Sequence, residues 1–175
     1  MEATEGLTLL AHLPTGGAPS EIRVAVIDAS GAPVVSGNFA TGENGRVRLS
    51  SVPPGSWELI VSAAGAATSS FRADAPGASL PVPLQPATAL KVSVPELRDS
   101  SSVAMVSLTD SQNRPFRSLS WNGLPRSEWR LSGGKIEFAS LPPGSWQITV
   151  AAADGRTWQN GSVTAPGTIA EVTLE

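Results

Sequence analysis

Few side chains in this 175-residue chain could do chemistry. The chain has one histidine, His12, and neither cysteine nor tyrosine. The absence of cysteine excludes thiolate catalysis, a disulfide framework and a thiolate zinc site. His12 falls out of phase with the apolar residues of the run 7–13, so we expect a solvated strand histidine and not a catalytic one. This residue inventory indicates that the protein is not an enzyme.

Two aspartates occupy equivalent places, each directly after an apolar strand pattern and before a turn. Asp28 follows residues 24–27, and Asp110 follows residues 106–109. An aspartate at such a place commonly accepts hydrogen bonds from the backbone of the turn, so we predict a turn-capping role and no metal ligation. The loop 41–45 carries a single acid, whereas calcium needs six or more oxygen ligands. We predict neither a metal nor a cofactor.

Tryptophans near arginines are the remaining candidates for binding. Trp129 lies close in sequence to Arg126 and Arg130, and Trp158 is a second such tryptophan. Exposed tryptophan flanked by arginine can stack on a sugar ring or anchor a protein partner. The alternative is that the segment 122–134 folds back and its tryptophan is packed, because large aromatic side chains on small domains are usually buried. We expect at least one of the two rings to be packed.

These residues are positioned by a pattern that occurs twice. The run RVRLSSVPPGSWELIV at 46–61 matches KIEFASLPPGSWQITV at 135–150. Trp57 and Trp146 are 89 positions apart, which is the length of a small domain and not of a solenoid repeat. The sequence therefore predicts two domains, residues 1–87 and 88–175, the second with an insertion near 122–134.

Alternating apolar and polar residues, punctuated by 17 glycines and 15 prolines, predict β-strands throughout. The predicted fold class is all-β, with two tandem seven-stranded Greek-key-type β-sandwiches. The strands expected in the first copy are 7–13, 22–28, 33–40, 45–50, 56–62, 68–73 and 79–84. On the strand that follows each Pro-Pro-Gly, Trp57 and Trp146 are expected on the core side and almost fully buried.

The two copies differ in length at one place. Eighteen positions separate Phe39 from Trp57, whereas 25 separate Trp121 from Trp146. The second copy therefore has about seven extra residues, which we assign to the segment 122–134. This alignment sets Trp121 opposite Phe39 and predicts that Trp121 lies in the core.

Charge and hydropathy limit the partners. The net charge is −3, and neither half is the basic surface that nucleic-acid binding needs. No apolar run is long enough to insert in a membrane as a helix. The acidic start, residues 1–5, lacks the positive region of a signal peptide. Export therefore cannot be predicted from this end of the sequence. A protein partner or a polysaccharide remains expected.

Several motifs together resemble a known family. They are Gly31-Ala-Pro33, Asn44-Gly45 and Val52-Pro-Pro-Gly55 followed by Trp57, with looser equivalents in the second copy. This pattern resembles the carboxypeptidase regulatory-like domains, which have the transthyretin-like (prealbumin-type) β-sandwich fold. Both copies have tryptophan where the family usually has tyrosine, a substitution that keeps a buried aromatic side chain.

The resemblance implies a role and a location. Such modules are accessories of secreted and surface bacterial proteins, so it implies an extracellular, cell-surface or periplasmic location. It implies a non-catalytic module of a larger exported protein, acting as a spacer, adhesion or protein-interaction unit. The alternative is a carbohydrate-binding accessory module that uses Trp129 and Trp158.

Chemistries of related domains do not fit the residues. Collagen-adhesin B-type domains, which are similar sandwiches, form an isopeptide bond between lysine and Asn or Asp. Residues 1–87 contain no lysine, and Lys91 of the second copy has no Asn or Asp in the predicted final strand, 169–174. Transthyretin-like hydroxyisourate hydrolases need several histidines, and this chain has one. We expect neither activity.

Overall fold

The computed structural model describes residues 6–98, 103–165 and 170–174. In these ranges the chain forms sixteen β-strands and two short 3₁₀ helices. It divides into two compact units. Unit 1 contains residues 1–86 and 117–125, and unit 2 contains residues 87–116 and 126–175. Residues 117–125, which the sequence assigned to the second domain, thus belong to unit 1.

Unit 1 contains seven strands in two sheets, as the alternation predicted. They are β1 (Leu7–His12), β2 (Glu21–Ile27), β3 (Pro33–Ala40), β4 (Arg46–Leu49), β5 (Gly55–Ser62), β6 (Ser69–Ala75) and β7 (Leu80–Pro83). The sheet orders are β4-β1-β7 and β3-β2-β5-β6. Neighbouring strands are antiparallel except β1 and β7, which are parallel. The chain changes sheet four times. Inward side chains of both sheets form one core. The predicted all-β sandwich fold is therefore confirmed.

Unit 2 repeats this arrangement. Its strands are β8 (Thr88–Ser93), β9 (Ala104–Asp110), β12 (Glu128–Arg130), β13 (Lys135–Leu141), β14 (Gly144–Ala152), β15 (Thr157–Ala165) and β16 (Ala170–Thr173). The intervening β10 (Ser118–Leu119) and β11 (Pro125–Arg126) form a separate two-stranded sheet. The sheet orders are β13-β8-β16 and β12-β9-β14-β15. The first and last strands, β8 and β16, again pair in parallel. Residues 166–169, where the final strand was expected to begin, lie outside the described residues.

Strand register corrects the alignment of the two copies. Val24 of β2 pairs with Gly37, and Val106 of β9 pairs with Trp129. The connection in unit 2 is therefore ten residues longer, since 23 positions separate its pair and 13 separate the pair in unit 1. By the same register Leu131, which is buried, corresponds to Phe39.

The prediction that Trp121 lies in the core was wrong. Its indole is 84% exposed. The extra residues were assigned after the third strand of the second copy, whereas they precede it. After that strand the second copy is three residues shorter, with 15 positions from Leu131 to Trp146 against 18 from Phe39 to Trp57. The two differences offset each other and concealed the true position of the insertion.

The two repeated tryptophans differ in burial. Trp146 is buried, as expected, whereas Trp57 is only partly buried, so the prediction was wrong for Trp57. Phe116 packs edge-on against Trp146, with ring centroids 5.5 Å apart. The matching position in unit 1 is Val34, which is 43% exposed. Since Val34 is small and faces solvent, Trp57 lacks the aromatic cover that Trp146 has.

Candidate functional site

Residues 117–125, here called the arm, form a short hairpin on unit 1. Two strands bound it, β10 (Ser118–Leu119) and β11 (Pro125–Arg126), which pair with each other. At its turn the Ser120 amide donates to the Leu124 carbonyl at 2.9 Å, and the Gly123 amide donates to the Ser120 carbonyl at 2.9 Å. The Ser120 hydroxyl also accepts from the Leu124 amide at 3.1 Å. These bonds hold the backbone of the turn in one conformation.

The arm covers an apolar surface of unit 1. Ala25 and Ile27 on β2 and Ile60 on β5 are each no more than 1% exposed, although they alternate with the residues of the main core. With Leu119 of the arm they form a separate hydrophobic cluster. We call Ala25, Ile27, Ile60 and the neighbouring Glu58 the outer face of unit 1. Leu119 therefore removes from water a sheet face that would otherwise be solvated.

The equivalent surface of unit 2 has a different composition. Its positions equivalent to Ala25, Ile27 and Ile60 are polar and partly exposed. They are Ser107, Thr109 and Thr149. Polar side chains there need no cover. The unbroken apolar run 24–27 indicates that both faces of β2 are buried, because a strand buried on both faces is typically apolar without alternation. The sequence reasoning did not use that signal.

An ion pair fixes the start of the arm. Arg117 Nη1 donates to both carboxylate oxygens of Glu58, at 3.0 Å each. Both side chains are partly buried, so the charge-assisted bonds are less screened than they would be on an open surface. The position equivalent to Glu58 in unit 2 is the neutral Gln147. The arginine of the arm and the acid of the outer face therefore form a specific pair.

A close backbone approach fixes the tip of the arm. Gly123 has φ +79°, and a Cβ atom on it would lie 2.7 Å from the backbone nitrogen of Gly37 on β3. Any larger residue would therefore both strain the turn and collide with β3. Glycine at 123 lets the tip of the arm lie directly against the edge strand of unit 1.

The tip presents two apolar side chains to solvent. Trp121 is 84% exposed and Leu124 is 44% exposed. The other four tryptophans are buried or pack against a core. Large exposed apolar side chains on a rigid turn are typical of contact residues in interaction sites. Trp121 is thus the tryptophan best placed to contact a partner. The sequence analysis did not identify it as a binding residue, because the alignment with Phe39 placed it in the core.

The tryptophans that the sequence proposed for binding are packed in unit 2. Trp129 on β12 stacks on Phe116 at 5.7 Å and meets Phe138 edge-on at 4.9 Å. Trp158 on β15 is buried in the core, with the Arg156 guanidinium 5.3 Å from the centre of its ring. The register sets the two rings at opposite edges of the sheet β12-β9-β14-β15. The expectation that at least one ring is packed is confirmed.

The two arginines beside Trp129 remain at the surface. Arg126 and Arg130 are both exposed. Arg130 lies on β12 next to the packed Trp129, and Arg126 ends the hairpin of the arm. Neither arginine is accompanied by an open tryptophan ring of unit 2. Their role in binding stays a prediction.

The repeated aspartates cap turns, as predicted. Asp28 accepts hydrogen bonds from the amides of Ser30 and Ala32, at 2.8 and 3.0 Å. Asp110 accepts from the amides of Gln112 and Arg114, each at 2.9 Å. The hydrogen bond from the Ser30 hydroxyl, followed by that from the Ala32 amide, lowers the pKa of Asp28. Desolvation raises the pKa of Asp110, but the hydrogen bonds from Arg114 and Gln112 and the charge of Arg114 together lower this pKa overall.

These lowered pKa values predict a pH-dependent stability. A carboxyl with a lowered folded pKa adds stability above its usual pKa of 3.8 and loses that contribution as the pH falls through the folded value. The Asp28→Asn, Asp110→Asn double variant should therefore be less stable than wild type at pH 7. The difference should shrink as the pH falls below 3.8, when both aspartates become protonated. Urea unfolding from pH 7 to pH 2 measures this, and a constant difference would contradict it.

Other charged groups offer little chemistry. Lys91 is partly exposed, and its ammonium lies 3.9 Å from the carboxylate of Glu137 on the neighbouring strand. His12 is exposed at the end of β1, as expected. Within the residues that the structure describes, no group of three or more His, Cys, Asp or Glu side chains could hold a metal ion. Those residues also include no helix long and apolar enough to cross a membrane.

Comparisons with known proteins return distant structural likenesses. No family model and no curated protein matches the sequence. The minor pilin GBS52 of Streptococcus agalactiae matches over 97% of this chain and 94% of its own, at 13% identity and TM-score 0.41. The shaft pilin SpaA of Lactobacillus rhamnosus GG matches over 98% and 97%, at 10% and 0.43. The major pilin subunit BcpA of Bacillus cereus matches over 97% and 99%, at 8% and 0.33. At these values the likenesses carry no inference about function.

Proposed function

We propose that this chain is a non-catalytic β-sandwich module of a larger exported or cell-surface protein, and that it acts in adhesion or protein interaction. The observation that carries this proposal is the exposed Trp121 on the rigid arm. The hydrogen-bonded turn orders the backbone that carries Trp121, so binding costs less backbone entropy there than it would on an irregular loop. Trp121 is therefore suited to insert into a pocket of a protein partner.

The family is part of the proposal. We propose that both units are carboxypeptidase regulatory-like domains of the transthyretin-like class. The Gly-x-Pro turn, the Asn-Gly turn and the Pro-Pro-Gly before a core-facing tryptophan support this in unit 1. The identical sheet order in unit 2 supports a common origin of the two repeats. The proposed extracellular, cell-surface or periplasmic location follows from that family.

A carbohydrate-binding module is the second candidate. Trp129 and Trp158 are packed and do not support this candidate. Trp121 supports it, because its ring is open to solvent. Asn122 adjoins Trp121 and is exposed, so a polar group able to bind a sugar hydroxyl lies beside the ring. Against this candidate, Trp121 is the only tryptophan of the described residues that faces solvent, and the second ring of a stacking platform is missing.

The Trp121→Ala variant tests the proposal and separates the two candidates. The full-length chain would be probed against an array of extracellular proteins and an array of polysaccharides. We expect binding to a protein, weakened about 30-fold by Trp121→Ala, since an interface tryptophan typically contributes 2 kcal/mol or more. The melting temperature should not change, because the side chain packs on little of the fold.

Two further variants complete this test. Trp121→Phe keeps an aromatic ring and should retain part of the binding. Leu124→Ala removes the second exposed apolar side chain of the tip and should weaken protein binding less than Trp121→Ala does, because leucine buries less surface in an interface than tryptophan. Binding to polysaccharide alone, lost in Trp121→Ala, would favour the carbohydrate candidate. Protein binding that is unchanged in Trp121→Ala would overturn the role of the arm tip.

A further inference from the structure

The arm has an unusual relation to the surface that it covers. The residues on either side of it, Phe116 and Arg126, belong to unit 2, while the arm itself belongs to unit 1. The arm is therefore covalently continuous with the second repeat, and it is held on unit 1 by noncovalent contacts. The chain otherwise passes from unit 1 to unit 2 only once, after Pro86. The outer face and the arm are thus two segments of one chain that noncovalent contacts hold together.

The contacts between them form a specific set. Leu119 fills an apolar surface of three side chains, Arg117 is paired with Glu58, and Gly123 lies against the backbone of Gly37. An apolar anchor, a charge pair and a steric requirement for glycine lie along nine residues. All of these contacts are noncovalent. The arm of another chain could therefore make the same contacts.

We propose that the outer face of unit 1 is a self-recognition site that binds the arm of a second copy of this chain, giving arm-exchanged assemblies. The occupant is a second copy because the arm is the one segment known to match this face in shape and charge. In one chain the tethered arm has an effective concentration in the millimolar range. The wild-type chain is therefore monomeric when dilute, and exchange occurs when the arm is displaced or copies are crowded.

A complementation experiment with two full-length variants tests this. The acceptor has residues 117–125 replaced by a Gly-Ser linker, so its outer face is open. The donor carries Ala25→Arg with Glu58→Arg, which obstructs its own face and repels its own Arg117. Each variant alone should be monomeric by native mass spectrometry at about 10 μM, whereas their mixture should show the mass of two chains. Hydrogen exchange should show protection returning at β2 and β5 of the acceptor.

Controls address specificity and folding. Adding Arg117→Gln and Leu119→Ala to the donor should weaken the complex at least tenfold. Placing Gln147→Arg on the donor, the equivalent of Glu58→Arg in unit 2, should leave the complex unchanged. If the acceptor with the linker does not fold, a second acceptor takes its place. It carries Arg117→Gln and Leu119→Ala, which weaken its own arm and keep the length of the arm unchanged. Folded variants whose mixture stays monomeric at about 100 μM would overturn the proposal. The donor with Arg117→Gln and Leu119→Ala keeps Trp121, so its weaker complex would report the contacts of the arm and not partner binding by Trp121.

Discussion

The Trp146→Ala variant is expected to lose about 3 to 5 kcal/mol of the free energy of unfolding of unit 2. Trp146 is 7% exposed and packs edge-on against Phe116 in the core. Alanine would leave a cavity the size of an indole, and it would remove the hydrogen bond that the indole Nε1 donates to the Pro142 carbonyl at 3.3 Å. Since domains of this size are only marginally stable, the loss is a large share of the total.

The matched control is Trp57→Ala. Trp57 holds the same place in unit 1 and donates the same type of bond, to the Pro53 carbonyl at 2.9 Å. It is only partly buried, so less apolar surface is exposed by its removal, and we expect a loss of about 1 to 3 kcal/mol. Urea unfolding of both variants, followed by hydrogen exchange in β5 and β14, measures the two losses. Equal losses would contradict the difference in packing.

The Leu119→Ala variant is expected to destabilise unit 1, although residue 119 lies in the second half of the chain. Leu119 is 8% exposed and covers Ala25, Ile27 and Ile60. We expect a loss of about 2 to 3 kcal/mol, near the lower end for a buried leucine, because its cluster is small. Amide hydrogen exchange should accelerate in β2 and β5 more than in β9 and β14.

Two variants frame this measurement. Leu124→Ala removes a leucine of the same arm that is 44% exposed, and it should change stability by no more than about 0.5 kcal/mol. Glu58→Gln removes the charge that pairs with Arg117 and should cost about 1 kcal/mol or less, since both partners remain partly in contact with water. Acceleration after Leu119→Ala that is as large in β9 and β14 as in β2 and β5 would contradict a specific stabilisation of unit 1 by the arm.

Local sequence predicted the strands of unit 1 well. Each of its seven strands begins and ends within two residues of the expected bounds. Period-two alternation carries this information, because successive side chains of a strand point to opposite faces. The Pro-Pro-Gly before β5 and β14 marked the same turn in both copies. The roles of Asp28 and Asp110 followed equally from local chemistry, since a turn and its capping aspartate lie within four residues.

The arm could not be placed by the same reasoning. A ten-residue insertion before β12 and a three-residue deletion after it produce the same total spacing as one insertion of seven. Only strand register distinguishes these cases, and register is set by partners distant in sequence. The error moved Trp121 into the expected core and turned attention to Trp129, which in fact packs against Phe116 and Phe138.

The sequence by itself therefore determined the all-β class, the repeat, the strand positions of unit 1 and the turn chemistry. The strand positions and the turns depend on neighbouring residues, and the repeat is read by comparing one segment with another. The tertiary structure decided which tryptophans are open, because burial depends on what packs over each ring. It also decided that Leu119 covers unit 1 and that Arg117 pairs with Glu58, a contact across 59 positions. The apolar run 24–27 showed that its strand needs cover on both faces, but no local pattern specifies which distant segment supplies that cover.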